Sequence, residues 1–101
     1  MKVLVVVAQR QYQDRELAGT LAGLSAANID YQIASTKTGT CEGKLGGSVE
    51  ASVSIRDASP DDFQGIVFIG GPGSAELAKD ASAQKLAQAF AHDHKPMGAI
   101  C

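Results

Sequence analysis

The sequence predicts an α/β fold: an open, three-layer arrangement around a mainly parallel sheet. Three observations predict it. The chain opens on a continuous β-branched run, Lys2 to Ala8, the pattern of a strand buried on both faces. A second short apolar run, "GIVFIGG", ends in paired glycines. Between and after these runs, stretches with helical spacing alternate with strand-like ones, as a parallel sheet with right-handed crossovers requires.

In chain order, the opening strand is followed by polar "QRQYQDRE" and then by a helix from about Asp14 to Ala27. Leu17, Leu21 and Leu24 fall at spacings of four and three along its buried face, with Asp14 placed to cap it. A turn around Asn28 and Asp30 leads to a second strand, Tyr31 to Ser35. The glycine-rich "GTCEGKLGG" then precedes an alternation of Val49, Ala51, Val53 and Ile55 against Glu50, Ser52 and Ser54. Period two after a glycine turn predicts an antiparallel excursion with one wet face. "ASPDDF" reads as a turn with a single helical turn, and "GIVFIGG" as the third buried strand. Asp80 begins a second helix with Leu86 and Phe90 inward, and "KPMGAIC" is the last strand.

Composition narrows the function classes. The 101 residues have room for one small domain, and 45% hydrophobic content with 20% charged residues opposes disorder. Nine basic and eleven acidic residues are scattered, leaving a net charge of −2, with no basic stripe for nucleic acid. "MKVLVVVA" is too short to span a membrane and is followed by no signal-type cleavage site. With no export signal, Cys41 and Cys101 are expected to be reduced thiols in the cytoplasm.

Ligands of such sheets sit beyond the carboxyl ends of the strands, which directs attention to three places. Cys101 ends the final strand, where a strand-to-helix elbow presents a nucleophile and a helix amino end favours a thiolate. The competing reading is a buried structural cysteine. Gly70 and Gly71 in "GGPGS" permit a tight turn whose backbone amides can hold an oxyanion, or they form an ordinary glycine loop. Glu16, in the first turn of the first helix, can exchange a proton with a thiol or substrate; alternatively it serves the helix dipole, as Asp14 does.

Nucleotide and metal readings fail on spacing. Gly71-x-Gly73 reaches Glu76 where a dinucleotide loop needs glycine, and "GTCEGK" is one residue short of a phosphate loop, with Leu45 in place of Ser or Thr. His92 and His94 flank Asp93 without the three- or four-residue spacing of one helix face, so no metal and no cofactor is expected.

In this order and spacing, "KVLVVVA…QDREL", "GGSVEASVSI…DDFQGIVFIGGPG" and "HKPMGAIC" resemble the ThiJ/PfpI superfamily, in particular its PfpI-like intracellular peptidase/deglycase branch. The resemblance implies a flavodoxin-like, class I glutamine-amidotransferase-like fold. It matches Cys101 to the reactive elbow cysteine, Glu16 to the acid that hydrogen-bonds it, and Gly71, beside Gly70, to an amide donor of the oxyanion site. It implies that residues 1–101 are the N-terminal part of a single domain, incomplete here, and that the sheet needs further chain to cover one face. The complete protein is then expected to be a homodimer, or to be completed by a C-terminal chain. Gln11 and Gln13 stand where acidic residues are common in that branch.

Two functions follow from the resemblance. One is a cysteine-dependent enzyme acting on small carbonyl compounds or their adducts, glyoxalase- or deglycase-like, or on amide and peptide bonds. The alternative is an oxidative-stress sensor or chaperone in which Cys101 is oxidised to sulfinic acid. A ligand-sensing domain attached to a regulator would need a second domain that the sequence does not contain.

Overall fold

The opening valine run forms the central strand. In the computed structural model, which describes residues 1–100, strand β1 (Lys2–Val6) is buried on both faces and hydrogen-bonds in parallel to a strand on either side. One neighbour is β3 (Asp30–Ser35) and the other β7 (Gly65–Ile69). With β6 (Val53–Ser54) beyond β3 and β8 (Met97–Ile100) beyond β7, the main sheet has the order β6-β3-β1-β7-β8, parallel throughout.

The two-residue alternation of β1 builds two cores. Leu4, Val6 and Ala8 face Ile66, Phe63, Leu86 and Phe90, on the side covered by α3 (Ala81–His92) and α2 (Ser74–Lys79). Val3, Val5 and Val7 face Leu17, Ile33, Cys41 and Tyr12, on the side covered by α1 (Asp14–Ala26) and a small second sheet. The leucines predicted to line the inner face of α1 do so. Leu17 is buried, and Leu21 and Leu24 pack on the same cluster. Asn28, in the left-handed region at φ 57°, turns the chain out of α1, and the Ile29 N–H closes on the Leu24 carbonyl.

The small sheet, β2 (Arg10–Tyr12), β4 (Gly39–Gly43) and β5 (Ser48–Ala51), contains the predicted antiparallel excursion, with Cys41 opposite Val49. Two details differ from the sequence reading. The alternating run does not stay in one sheet: at Ser52, whose N–H donates to the Ile33 carbonyl, the chain leaves β5 and joins the main sheet as β6. The alternation survives because Ala51 and Ile55 are buried in opposite cores while Glu50 and Ser52 stay wet. The loop after β1 also holds a short strand, β2, which three residues with no apolar alternation do not announce.

The helix predicted to begin at Asp80 is α3, and Asp80 caps it, its carboxylate accepting from the Ala83 N–H at 2.9 Å. Pro60–Asp62 form the single helical turn. The stretch after "GGPG", for which the sequence predicts no helix, folds into α2, which runs into the Asp80 cap. Among the described residues no helix is long and apolar enough to cross a membrane.

Candidate functional site

The carboxyl end of β7 and the start of α1 are built as one unit. Gln13 has an extended backbone and caps α1, its side-chain oxygen accepting from Arg15 N–H at 3.2 Å, while its own N–H donates to the Gly70 carbonyl at 2.9 Å. Gly71 sits at φ 120°, and a Cβ there would lie 2.7 Å from both the Gln11 carbonyl oxygen and the Gln13 nitrogen. Only glycine accepts both that backbone and that approach. Two residues on, the Gly73 N–H donates to the Gln11 carbonyl at 3.2 Å, and a Cβ on Gly73 would overlap the Arg10 carbonyl oxygen. Gln11 meets this wedge in the left-handed region, at φ 60°.

Gly73 has ordinary helical angles, so only space forbids a side chain there. Gly73→Ala is expected to force the Arg10–Gln13 segment off the glycine loop and destabilise the protein by about 1–3 kcal/mol. A urea-unfolding midpoint equal to that of the parent protein would contradict this.

Glu16 lies one turn beyond the Gln13 cap. Its Oε2 is sealed from solvent and, among the described residues, has no hydrogen-bond partner. Buried polar atoms of native proteins are nearly always paired, so this oxygen marks a place where a partner belongs. Thr20 Oγ1, one turn further along α1, is in the same condition. Among the described residues no acceptor lies in hydrogen-bond geometry to the Gly71 N–H, whose carbonyl in turn receives Ser74 N–H at 3.0 Å.

Strand β8 runs parallel to β7 with Ile100 level with Ile69. The residue following Ile100 is Cys101, which lies outside the described residues. The structure thus brings Glu16, Gly70 and Gly71 to one edge, beside the level at which β8 ends.

Asp14 requires a correction. It does not cap α1, because it already lies inside the helix and the cap falls to Gln13. Its carboxylate turns outward instead, Oδ1 accepting from Leu45 N–H at 2.7 Å and Oδ2 from Gly47 N–H at 2.8 Å. The Leu45 N–H is the main reason its carboxyl is held below the usual carboxylate range, with the Gly47 N–H adding to it against the opposing effect of burial. A depressed carboxylate contributes stability above its unfolded pKa and loses that contribution as pH falls through the lower folded value. The turn is therefore expected to release below about pH 4, seen as a joint shift of the Leu45 and Gly47 amide resonances. Amides that stay fixed through that range would contradict it.

The other titratable candidates stay apart from this edge. Cys41 is fully buried in the core under the small sheet, and burial pushes its thiol pKa up. Burial also raises Tyr12, with Asp14 and then Cys41 adding to it. His92 ends α3 and His94 follows it, both exposed and ahead of β8, at the opposite edge from its carboxyl end. Among the described residues no group of three His, Cys, Asp or Glu side chains is placed to hold a metal. "GTCEGK" is strand β4 and the start of its turn. An apolar cavity of about 290 Å³, lined by Phe68, Ile69, Gly70, Leu77, Ala87 and Ala99, opens beside the glycine pair on the α2–α3 side.

Comparison with known proteins agrees with this construction. The profile of the DJ-1/PfpI family matches residues 1–101. An uncharacterized protein of Methanocaldococcus jannaschii is 35% identical over 101 residues, covering 99% of this chain and 49% of that protein. A deglycase of Pyrococcus abyssi is 29% identical over 101 residues, covering all of this chain and 60% of that protein. The chain thus spans about half to three-fifths of these relatives' length. The crystal structure of a ThiJ/PfpI domain protein from Brachyspira murdochii superposes with a TM-score of 0.93 at 28% identity, covering 97% of this chain and 57% of that one. The family match spans the whole sequence and the superposition shares its fold: this chain belongs to the DJ-1/PfpI family.

Proposed function

We propose that the protein is a cysteine-dependent enzyme acting on small carbonyl compounds or their adducts. Cys101 is the nucleophile, Glu16 its acid partner, and the amides at Gly70–Gly71 the oxyanion donors. The observation that carries the reading is the sealed Glu16 oxygen, without a partner among the described residues, in the first turn of a helix whose Gln13 cap is bonded to the glycine turn. A carboxyl group so placed can give a hydrogen bond to a thiol or exchange a proton with an adduct. Relatives named as deglycases, at about 30% identity, support the carbonyl class over simple amide or peptide hydrolysis.

With methylglyoxal the step balances with water alone. The Cys101 sulfur bonds to the aldehyde carbon, and the carbonyl oxygen takes the negative charge beside the Gly71 N–H and then a proton from Glu16. Rearrangement and hydrolysis return the thiol and release a hydroxy acid.

The reading extends to the whole domain. Residues 1–101 form its amino-terminal part, and further chain covers Met97, Ala99 and the apolar cavity between β7, β8 and α2–α3. The completed protein is a homodimer whose cysteines are reduced thiols in the cytoplasm. The experiment is loss of methylglyoxal in the presence of the protein, run beside peroxide treatment with peptide mapping. Turnover supports the enzyme. Selective oxidation of Cys101 without turnover of any dicarbonyl would favour the oxidative sensor instead.

A further inference from the structure

We propose that Asp14 is a positioning residue for this site: it latches the Lys44–Gly47 turn to the start of α1, and the latched turn, with Leu45 at its tip, forms a wall that receives the apolar substituent of the carbonyl substrate. The proposal rests on the reading of Glu16 and Cys101 given above and adds a specificity determinant to it.

The turn is built around the Asp14 carboxylate. Each carboxylate oxygen takes one N–H, from Leu45 and from Gly47. Both flanking glycines are shaped to it: a Cβ on Gly43 would overlap the carboxylate, and one on Gly47 would lie 2.5 Å from Oδ2. A third bond, from Lys44 N–H to the Tyr12 carbonyl at 2.9 Å, ties the turn to the same segment. That segment also carries the candidate site. The carbonyl carbon of Tyr12 lies 3.0 Å from where a Gly71 Cβ would be, and Gln13 N–H holds Gly70. Residues 12–16 thus join the turn, the oxyanion glycines and Glu16 within little more than one helical turn.

The turn holds out an apolar side chain. Leu45 is 58% exposed, one of three large hydrophobic residues left in solvent among the described residues, and its own N–H is pinned by Asp14. A β-turn tip is ordinarily polar and mobile. Three hydrogen bonds, two to the Asp14 carboxylate and one to the Tyr12 carbonyl, spent on immobilising an exposed leucine suit a surface whose position matters to a ligand.

The test uses the full-length protein with Asp14→Asn and Leu45→Ala, and phenylglyoxal and methylglyoxal as probes. Asn places a donor where an N–H donor already sits, so one of the two bonds is lost; the Leu45 change trims a side chain that is mostly exposed. Both variants are expected to raise KM for phenylglyoxal about fivefold or more, with a smaller rise in KM for methylglyoxal and with both kcat values within about twofold. An unchanged phenylglyoxal KM in Leu45→Ala, which does not depend on how Asp14→Asn folds, would overturn the proposal. So would a fall in kcat with both probes in a folded Asp14→Asn. If the parent protein turns over neither glyoxal, the assigned reaction fails, and the wall is read from Cys101 alkylation by N-benzylmaleimide relative to iodoacetamide. That ratio falls in both variants if the turn lines the site and stays constant if it does not.

Discussion

Cys101→Ser is expected to lower methylglyoxal turnover by about a thousandfold or more, with the unfolding midpoint unchanged. Serine keeps the size of the side chain but is a far weaker nucleophile at neutral pH. Among the described residues, the histidines that could activate a hydroxyl, His92 and His94, are exposed ahead of β8 and away from this edge. The remaining amides and Glu16 cannot form the covalent adduct. Residual turnover within tenfold of the parent protein would remove Cys101 from the chemistry and leave the buried structural reading in its place.

The second large effect belongs to Glu16. Glu16→Gln is expected to reduce kcat/KM by about 10²–10⁴-fold, the range of a positioned general acid–base group. The amide is nearly isosteric and still offers a hydrogen bond, but it cannot exchange a proton with the adduct. Stability should move the other way or not at all, because a sealed oxygen without a described partner contributes nothing that the amide would lose. Thermal unfolding of the same variant separates the two roles. A lower midpoint with intact turnover would mean that Glu16 serves only the amino end of α1, alongside Asp14.

The fold was legible where periodicity is strong. The β1 valines announced a strand buried on both faces, and the structure uses alternate members of that run for two separate cores. Leu17, Leu21 and Leu24 marked the inner face of α1, and Asp80 the start of α3. What escaped was set by tertiary contacts. β2 exists because Arg10–Tyr12 pairs with β4, and no local pattern encodes that partner. The residues 74–79 gave no apolar stripe long enough to separate α2 from a loop, and only Leu77 of that helix is buried.

The site divides in the same way. Glu16, Gly70 and Gly71 were visible as residue types at the carboxyl edge, and the structure joins the start of α1 to the glycine turn through Gln13. Asp14 was misassigned because a carboxylate at a helix start has two uses, capping and long-range acceptance, and sequence spacing favours the first. The missed signal was at a distance: Gly43 and Gly47 flank the turn that the carboxylate enters. Gly73 was noted only as part of a loop, although its overlap with Arg10 fixes how closely that loop approaches β2.

The central claim is that Glu16 and Cys101 act as a pair at this edge. The most direct measurement is the alkylation rate of each cysteine by iodoacetamide at neutral pH, by peptide mapping, in the full-length protein and in Glu16→Gln. Cys41 is the internal control, since burial closes it to solvent and raises its thiol pKa. Cys101 is expected to react at least about tenfold faster than Cys41, and Glu16→Gln to alter the rate at Cys101 alone. Equal rates at the two cysteines, or a Cys101 rate indifferent to Glu16, would contradict it.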